Sequence, residues 1–169
     1  MLTTEILEQK IYAISKLISK DKLVLILHVP DPSATPTNCF SNVLSIQKIY
    51  GGEIKYGWIF FHRFSEKYGD YIFVNHHAVW LNPSNKLVDV TPFHNEIKHQ
   101  PRTIDGKVLF LIDETAQPIK KENFVIPLPN KFYAIKPSSK LDKYILILQK
   151  KEFQHYKENF GIDFYGTFD

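Results

Sequence analysis

Apolar residues recur at helical spacing from the start of the chain. Ile6, Leu7, Ile11, Ile14, Leu17 and Ile18 fall on roughly one face of residues 3–19, with Thr3 or Thr4 placed to cap the first turn ahead of Glu5. The pattern predicts an amphipathic helix. The period then changes: residues 22–29 centre on the aliphatic run Leu23-Val24-Leu25-Ile26-Leu27 and stop at Pro30-Asp31-Pro32, as a buried strand entering a loop does. A second helix is predicted over 37–52, beginning within a residue or two of Cys39. Thr37 and Asn38 stand at its start, Phe40, Val43, Leu44, Ile46, Ile49 and Tyr50 supply its apolar positions, and Gly51-Gly52 ends it.

Downstream, residues 53–64 and 71–81 are rich in aromatic and β-branched side chains, and Pro83-Ser84-Asn85 turns the chain into 86–91, a run of antiparallel strands. Further strands are expected at 107–112, 124–126 and 132–135. In the last segment Ser138 or Ser139 caps a stretch in which Leu141, Tyr144, Ile145, Leu148, Phe153, Tyr156 and Phe160 approximate helical spacing, although 144–148 alone also reads as a strand. The order of helix, strand, helix, several strands and helix predicts an α+β fold. With no internal repeat, low-complexity tract or dividing linker, residues 1–169 are expected to form a single domain.

Composition narrows the function classes. A chain of 169 residues, 44% of them hydrophobic, buries about two-thirds of the surface its unfolded form exposes. Its 21 Lys and Arg against 18 Asp and Glu leave a formal charge of +3, too small to mark a nucleic-acid surface. Lys120-Lys121 and Lys150-Lys151 lack the interleaved aromatics of a single-strand binder. The longest pure aliphatic run has five residues where a membrane helix needs about 20, so no membrane partner is expected. The start Met-Leu-Thr-Thr-Glu-Ile has no basic head before a long apolar core, which predicts a cytoplasmic protein, or one delivered by a signal of another kind.

Cys39 is the single cysteine, which excludes an internal disulfide and every Cys-pair zinc motif. A thiol near a helix N-terminus faces unpaired N–H groups and the positive end of the dipole, an environment that favours thiolate; the plain alternative is a small buried hydrophobe. A cysteine nucleophile needs an imidazole to take its proton and a carboxylate to orient that ring. His76, His77 and Asp89 lie on consecutive strands joined by a tight turn. Paired residues share a face, so a connecting loop with an odd number of residues puts His77 on the face of Asp89, and an even one puts His76 there. Both faces of the histidine-bearing strand are largely apolar, which predicts burial on both sides and a hydrogen-bond partner for each ring. A metal site from Cys39, His76, His77, Asp89 and His94 is disfavoured, because consecutive histidines on a strand point to opposite faces. Trp58 and Trp80 fit core or pocket walls, Gly51-Gly52 a helix stop, and Asn42, one turn from Asn38, a brace to nearby backbone.

The segments Asn38-Cys39-Phe40-Ser41-Asn42-Val43, Gly51-Gly52, Gly57-Trp58, His77-Ala78-Val79-Trp80 and Leu87-Val88-Asp89-Val90-Thr91-Pro92 together resemble the papain-like superfamily, particularly its small transglutaminase-like members. The likeness spans about residues 36–92. It rests on the order Cys, His, Asp and departs from the commoner transglutaminase form in having His-x-x-Trp in place of His-x-Trp. The resemblance implies a papain-like core, with the cysteine at the N-terminus of a helix packed on an antiparallel sheet. It implies a thioester mechanism on a protein, peptide or small-amide substrate with no cofactor. Cys39 is then the nucleophile, His77 the base, with His76 the alternative, and Asp89 the orienting acid. Asn38, Asn42, Trp80 and Trp58 are candidates for substrate or oxyanion support. Papain-like enzymes often place a Gln or Asn side chain upstream of the cysteine as the second oxyanion donor, and the only upstream glutamine, Gln9, falls inside the first helix. A second expectation, of a different class, is a non-catalytic interaction module that keeps the fold, with Cys39 shut away and His77 bonded to Asp89 for stability.

Overall fold

The computed structural model describes residues 2–165. In chain order the elements are α1 (Thr4–Ile18), β1 (Leu23–His28), α2 (Cys39–Tyr50), β2 (Glu53–Ser65), β3 (Gly69–Leu81) and β4 (Leu87–Asp89). A short 3-10 turn (Ile97–His99) follows, then β5 (Thr103–Ile104), β6 (Lys107–Ile112), β7 (Ile119–Lys121), β8 (Phe124–Ile126), β9 (Lys131–Ala134) and α3 (Ser139–Phe160). The class is α+β. Thr3 caps α1 by accepting the Ile6 N–H, and Ser138 caps α3 by accepting that of Leu141. Residues 144–148, an unbroken apolar run that also reads as a strand, are helical: the Ser138 cap and the apolar spacing on to Phe153 and Tyr156 carry a 22-residue helix through them.

β2 and β3 pair over their whole length, from Glu53 opposite Leu81 to Ser65 opposite Gly69. The other edge of β3 is shared, β9 taking Tyr71 to Val74 and β4 taking Trp80 and Leu81. Between them, around residues 75–79, that edge has no strand beside it. β6 pairs with both β2 and β1, and β1 pairs with β4, so β1, β4, β3, β2 and β6 close into a ring. One pairing departs from the antiparallel expectation: β1 and β4 run parallel, with His28 opposite Asp89. β4 is also shorter than the strand predicted over 86–91. Beyond Asp89 the chain bonds to a loop: the Asp89 carbonyl accepts the Val29 N–H, and the Val90 carbonyl accepts that of Asp31.

The two-residue period of the long strands sorts their side chains into two cores. Ile59, Phe61 and Val79 point into the ring with Ile26, Val108 and Phe110. Trp58, Phe60, Ile72 and Val74 point outward, where Leu7, Ile11 and Ile14 of α1 cover them. The α2 residues Cys39, Val43 and Ile46 pack on Ala78, Val88 and Val90, next to the open stretch of β3. Gly57, opposite both His77 and Ile112, lets β6 lie close against β2: a Cβ there would stand 2.0 Å from the Leu111 carbonyl oxygen, so a side chain would force the strands apart.

Candidate active site

The turn 82–86 between β3 and β4 has five residues, an odd number, and it puts His77 on the face of Asp89. Its geometry is pinned by the Asn82 side chain, which accepts the Lys86 N–H, and by Asn85 in the left-handed region. His77 Nε2 lies 3.1 Å from Asp89 Oδ2, with both side chains buried. The N–H is out of line with that oxygen, so the contact is an ion pair at close range and not a well-directed hydrogen bond. The other carboxylate oxygen of Asp89 accepts the Thr91 N–H at 3.0 Å, which fixes the carboxylate plane.

Cys39 opens α2 on the same side of the sheet edge. As the first helical residue its own N–H has no acceptor within the helix. Burial opposes a charge on His77, but the nearby Asp89 and Cys39 outweigh it and hold the imidazole well above the ordinary histidine range. His76, one residue earlier, has the opposite environment. It is packed among the rings of Phe40, Tyr56 and Trp58, its Nε2–H donates to the Ala116 carbonyl at 2.7 Å, and its Nδ1 accepts the Leu128 N–H at 2.8 Å. Burial pushes its pKa down to about 4. Both ring nitrogens are committed to backbone groups, so His76 is a neutral strut and His77 is the ring that faces the cysteine. No family model, curated protein or solved structure matches this chain.

Cys39 is 6% exposed, yet two clefts meet at it. Thr37, Cys39 and Asn75 line both. The first, about 380 Å³, runs over the ring-side face of β2 and β3, with Phe93, His94 and Pro101 among its remaining wall residues. The second, about 420 Å³, lies against the start of α2 and the β7–β8 hairpin at Phe124 and Val125. Thr37 has a φ of 65°, a conformation that costs a β-branched residue of order 1–3 kcal/mol, and it sits immediately before the helix start.

The remaining predicted residues separate. Asn38 occupies the N-cap position but its side chain makes no cap bond; it is exposed and borders the second cleft. Asn42 is a buried brace: its amide accepts the Thr35 N–H and donates to the Thr35 carbonyl and to the Thr91 hydroxyl, tying the loop before Cys39 to the residue that orients Asp89. Removing it in Asn42→Ala leaves three groups unpaired and is expected to cost about 2–3 kcal/mol. Faster amide exchange in residues 33–37, measured by hydrogen–deuterium exchange, would accompany the loss; unchanged exchange there would refute the brace. Trp58 and Trp80 line neither cleft. Trp58 is buried and donates to Asp113, while Trp80 donates to the Gly51 carbonyl at 2.9 Å, fastening the far end of α2 to β3.

Sequence reasoning gave no role to Asn75, Thr91 or Arg63. The alternation of β3 already put Asn75 on the His77 face, and that was the available signal; Thr91 acquires its place only once β4 is docked beside β1, and Arg63 is a lining residue of the first cleft. Among the described residues no group of three or more His, Cys, Asp or Glu is placed to hold a metal ion, and no helix is long and apolar enough to cross a membrane.

Proposed function

We propose that this chain is a cysteine-dependent amide hydrolase or acyl transferase with a papain-like core, acting through a thioester on Cys39. The observation that carries the reading is the meeting of Cys39 with a His77–Asp89 ion pair where two clefts join. The Cys39 sulfur attacks the carbonyl carbon of an amide, and the oxyanion that forms takes a hydrogen bond from the Cys39 backbone N–H at the start of α2. As the C–N bond breaks, the His77 imidazolium gives its proton to the departing amine. Water, or a second amine, then attacks the thioester, loses its proton to His77 and releases the sulfur. Asp89 holds the ring in position and stabilises its charge throughout.

The test uses an activated ester. Incubation with p-nitrophenyl acetate is expected to give a single acetyl adduct on Cys39, found by peptide mass spectrometry, that decays to free enzyme with continued release of nitrophenolate. No adduct on Cys39 in the folded protein would overturn the proposal. The burial of Cys39 supports a second reading, a non-catalytic interaction module of the same fold, and that outcome is the one such a module gives.

A further inference from the structure

The first cleft has a polarity of its own. On its floor the alternate residues His77, Asn75 and Phe73 of β3 face the same way as Ile59, Phe61 and Arg63 of β2, because Phe61 is paired with Phe73 and Ile59 with Asn75. One end is therefore the reacting end, with Cys39 and His77, the middle is aromatic and aliphatic, and the far end is Arg63. The guanidinium of Arg63 lies over two of the floor rings, 5.1 Å from the Phe61 centroid and 5.5 Å from that of Phe73, so it leans back along the cleft toward the cysteine. Burial weakens its hold on its proton relative to an exposed arginine. Among the described residues no carboxylate pairs with it, and its one side-chain hydrogen bond, to the neighbouring His62 carbonyl, is long at 3.3 Å. The one acid lining this cleft is Asp89, already engaged with His77.

We propose that the first cleft binds an extended chain bearing a carboxylate, which Arg63 receives at the end opposite the scissile carbonyl. This deepens the proposed function and rests on it for the word scissile. From His77 to Phe73 is four residues of strand, so the carboxylate sits about 13 Å from the reacting carbon, the span of three to four extended residues. Arg63 is the one permanently charged cation on the cleft wall, and its planar fork matches a single carboxylate in two parallel hydrogen bonds. The aromatic floor covers the apolar part of the chain. The substrate class is thus an acyl chain or short peptide segment ending in, or carrying, an acidic group about three residues from the bond that Cys39 attacks.

Equilibrium binding tests this without any turnover. Acetyl-tetraglycine and its C-terminal amide are titrated into the native protein and into Arg63→Gln, with dissociation constants taken from backbone NMR shifts. The native protein is expected to bind the carboxylate about tenfold tighter than the amide, the preference shrinking as salt is raised. In Arg63→Gln the two ligands bind alike, at the affinity the native protein shows for the amide, while Arg63→Lys keeps part of the preference. Equal native affinities for the two ligands, or a preference that survives in Arg63→Gln, would overturn the proposal. The amide affinity in each variant reports that the cleft is still folded. Iodoacetamide reactivity of Cys39, measured separately, is expected to be unchanged in Arg63→Gln. An inert Cys39 beside a native preference that Arg63→Gln abolishes would strike the catalytic reading and leave the carboxylate site standing.

Discussion

Replacing His77 with alanine is expected to reduce ester turnover at Cys39 by about 10²–10⁴-fold, the usual contribution of a positioned proton carrier. The effect is large because, among the described residues, His77 is the imidazole that interacts with the cysteine: His76, adjacent in sequence, has both nitrogens bound to the Ala116 and Leu128 backbone. Asp89→Asn acts more gently and on a different observable. It removes the carboxylate that opposes the burial cost of an imidazolium, so the His77 titration seen by NMR moves down from its raised position toward the ordinary histidine range. A His77 titration identical in native and Asp89→Asn protein would contradict the ion pair.

The second large effect is on stability. His76→Ala leaves a buried carbonyl and a half-buried N–H without partners and opens a cavity among Phe40, Tyr56 and Trp58. The expected cost is about 3–5 kcal/mol, a large share of the stability of a domain this size. The melting temperature should fall by about 10 °C or more. A variant that melts within a degree or two of the native protein would refute the strut.

The two histidines also set opposite pH limbs. His76 has a folded pKa of about 4 against an unfolded value of 6.5, so between those values the unfolded chain takes up a proton the folded one refuses. Stability therefore falls by up to about 3 kcal/mol as pH drops through that window. His77 is raised above 6.5, so its contribution is complete below that pH and is lost as pH rises through its folded value. From these two groups alone, stability peaks near pH 6.5. Urea midpoints across pH 4–9 measure both limbs, and His76→Gln should flatten only the acid one.

Much of this architecture is written locally. The helix at Cys39 follows from the apolar spacing of Phe40 to Tyr50 and the paired glycines, and the long hairpin from two stretches of aromatic and β-branched residues. The juxtaposition of a histidine with Asp89 in the candidate site was legible down to one parity question, since a five-residue turn and a four-residue turn place different histidines before Asp89. The strand pattern was silent on that point because both faces of β3 are buried, so neither histidine stood out as the polar exception. What the sequence could not carry was closure. The parallel pairing of β1 with β4 joins segments about 60 residues apart, and a bond from the Arg102 N–H to the Phe60 carbonyl ties the end of the cleft wall that runs from Phe93 to Pro101 to β2. β7 escaped notice because Ile119-Lys120-Lys121 offers one apolar residue and no alternation, and its pairing with β8 supplies the strand. Trp80 looked like a pocket residue from its place after His77; its indole instead answers a helix-end carbonyl, a partner fixed by where α2 stops.

The central claim is that Cys39 and His77 work as a nucleophile and its base, and the rate of Cys39 alkylation by iodoacetamide as a function of pH tests it most directly. The measurement compares the native protein with His77→Ala, each shown to be folded by circular dichroism. The native thiol is expected to react in the folded protein faster than that of His77→Ala, and the two proteins to match once both are unfolded. Profiles that coincide in the two proteins, or a native Cys39 that resists the reagent until the fold is lost, would contradict the account.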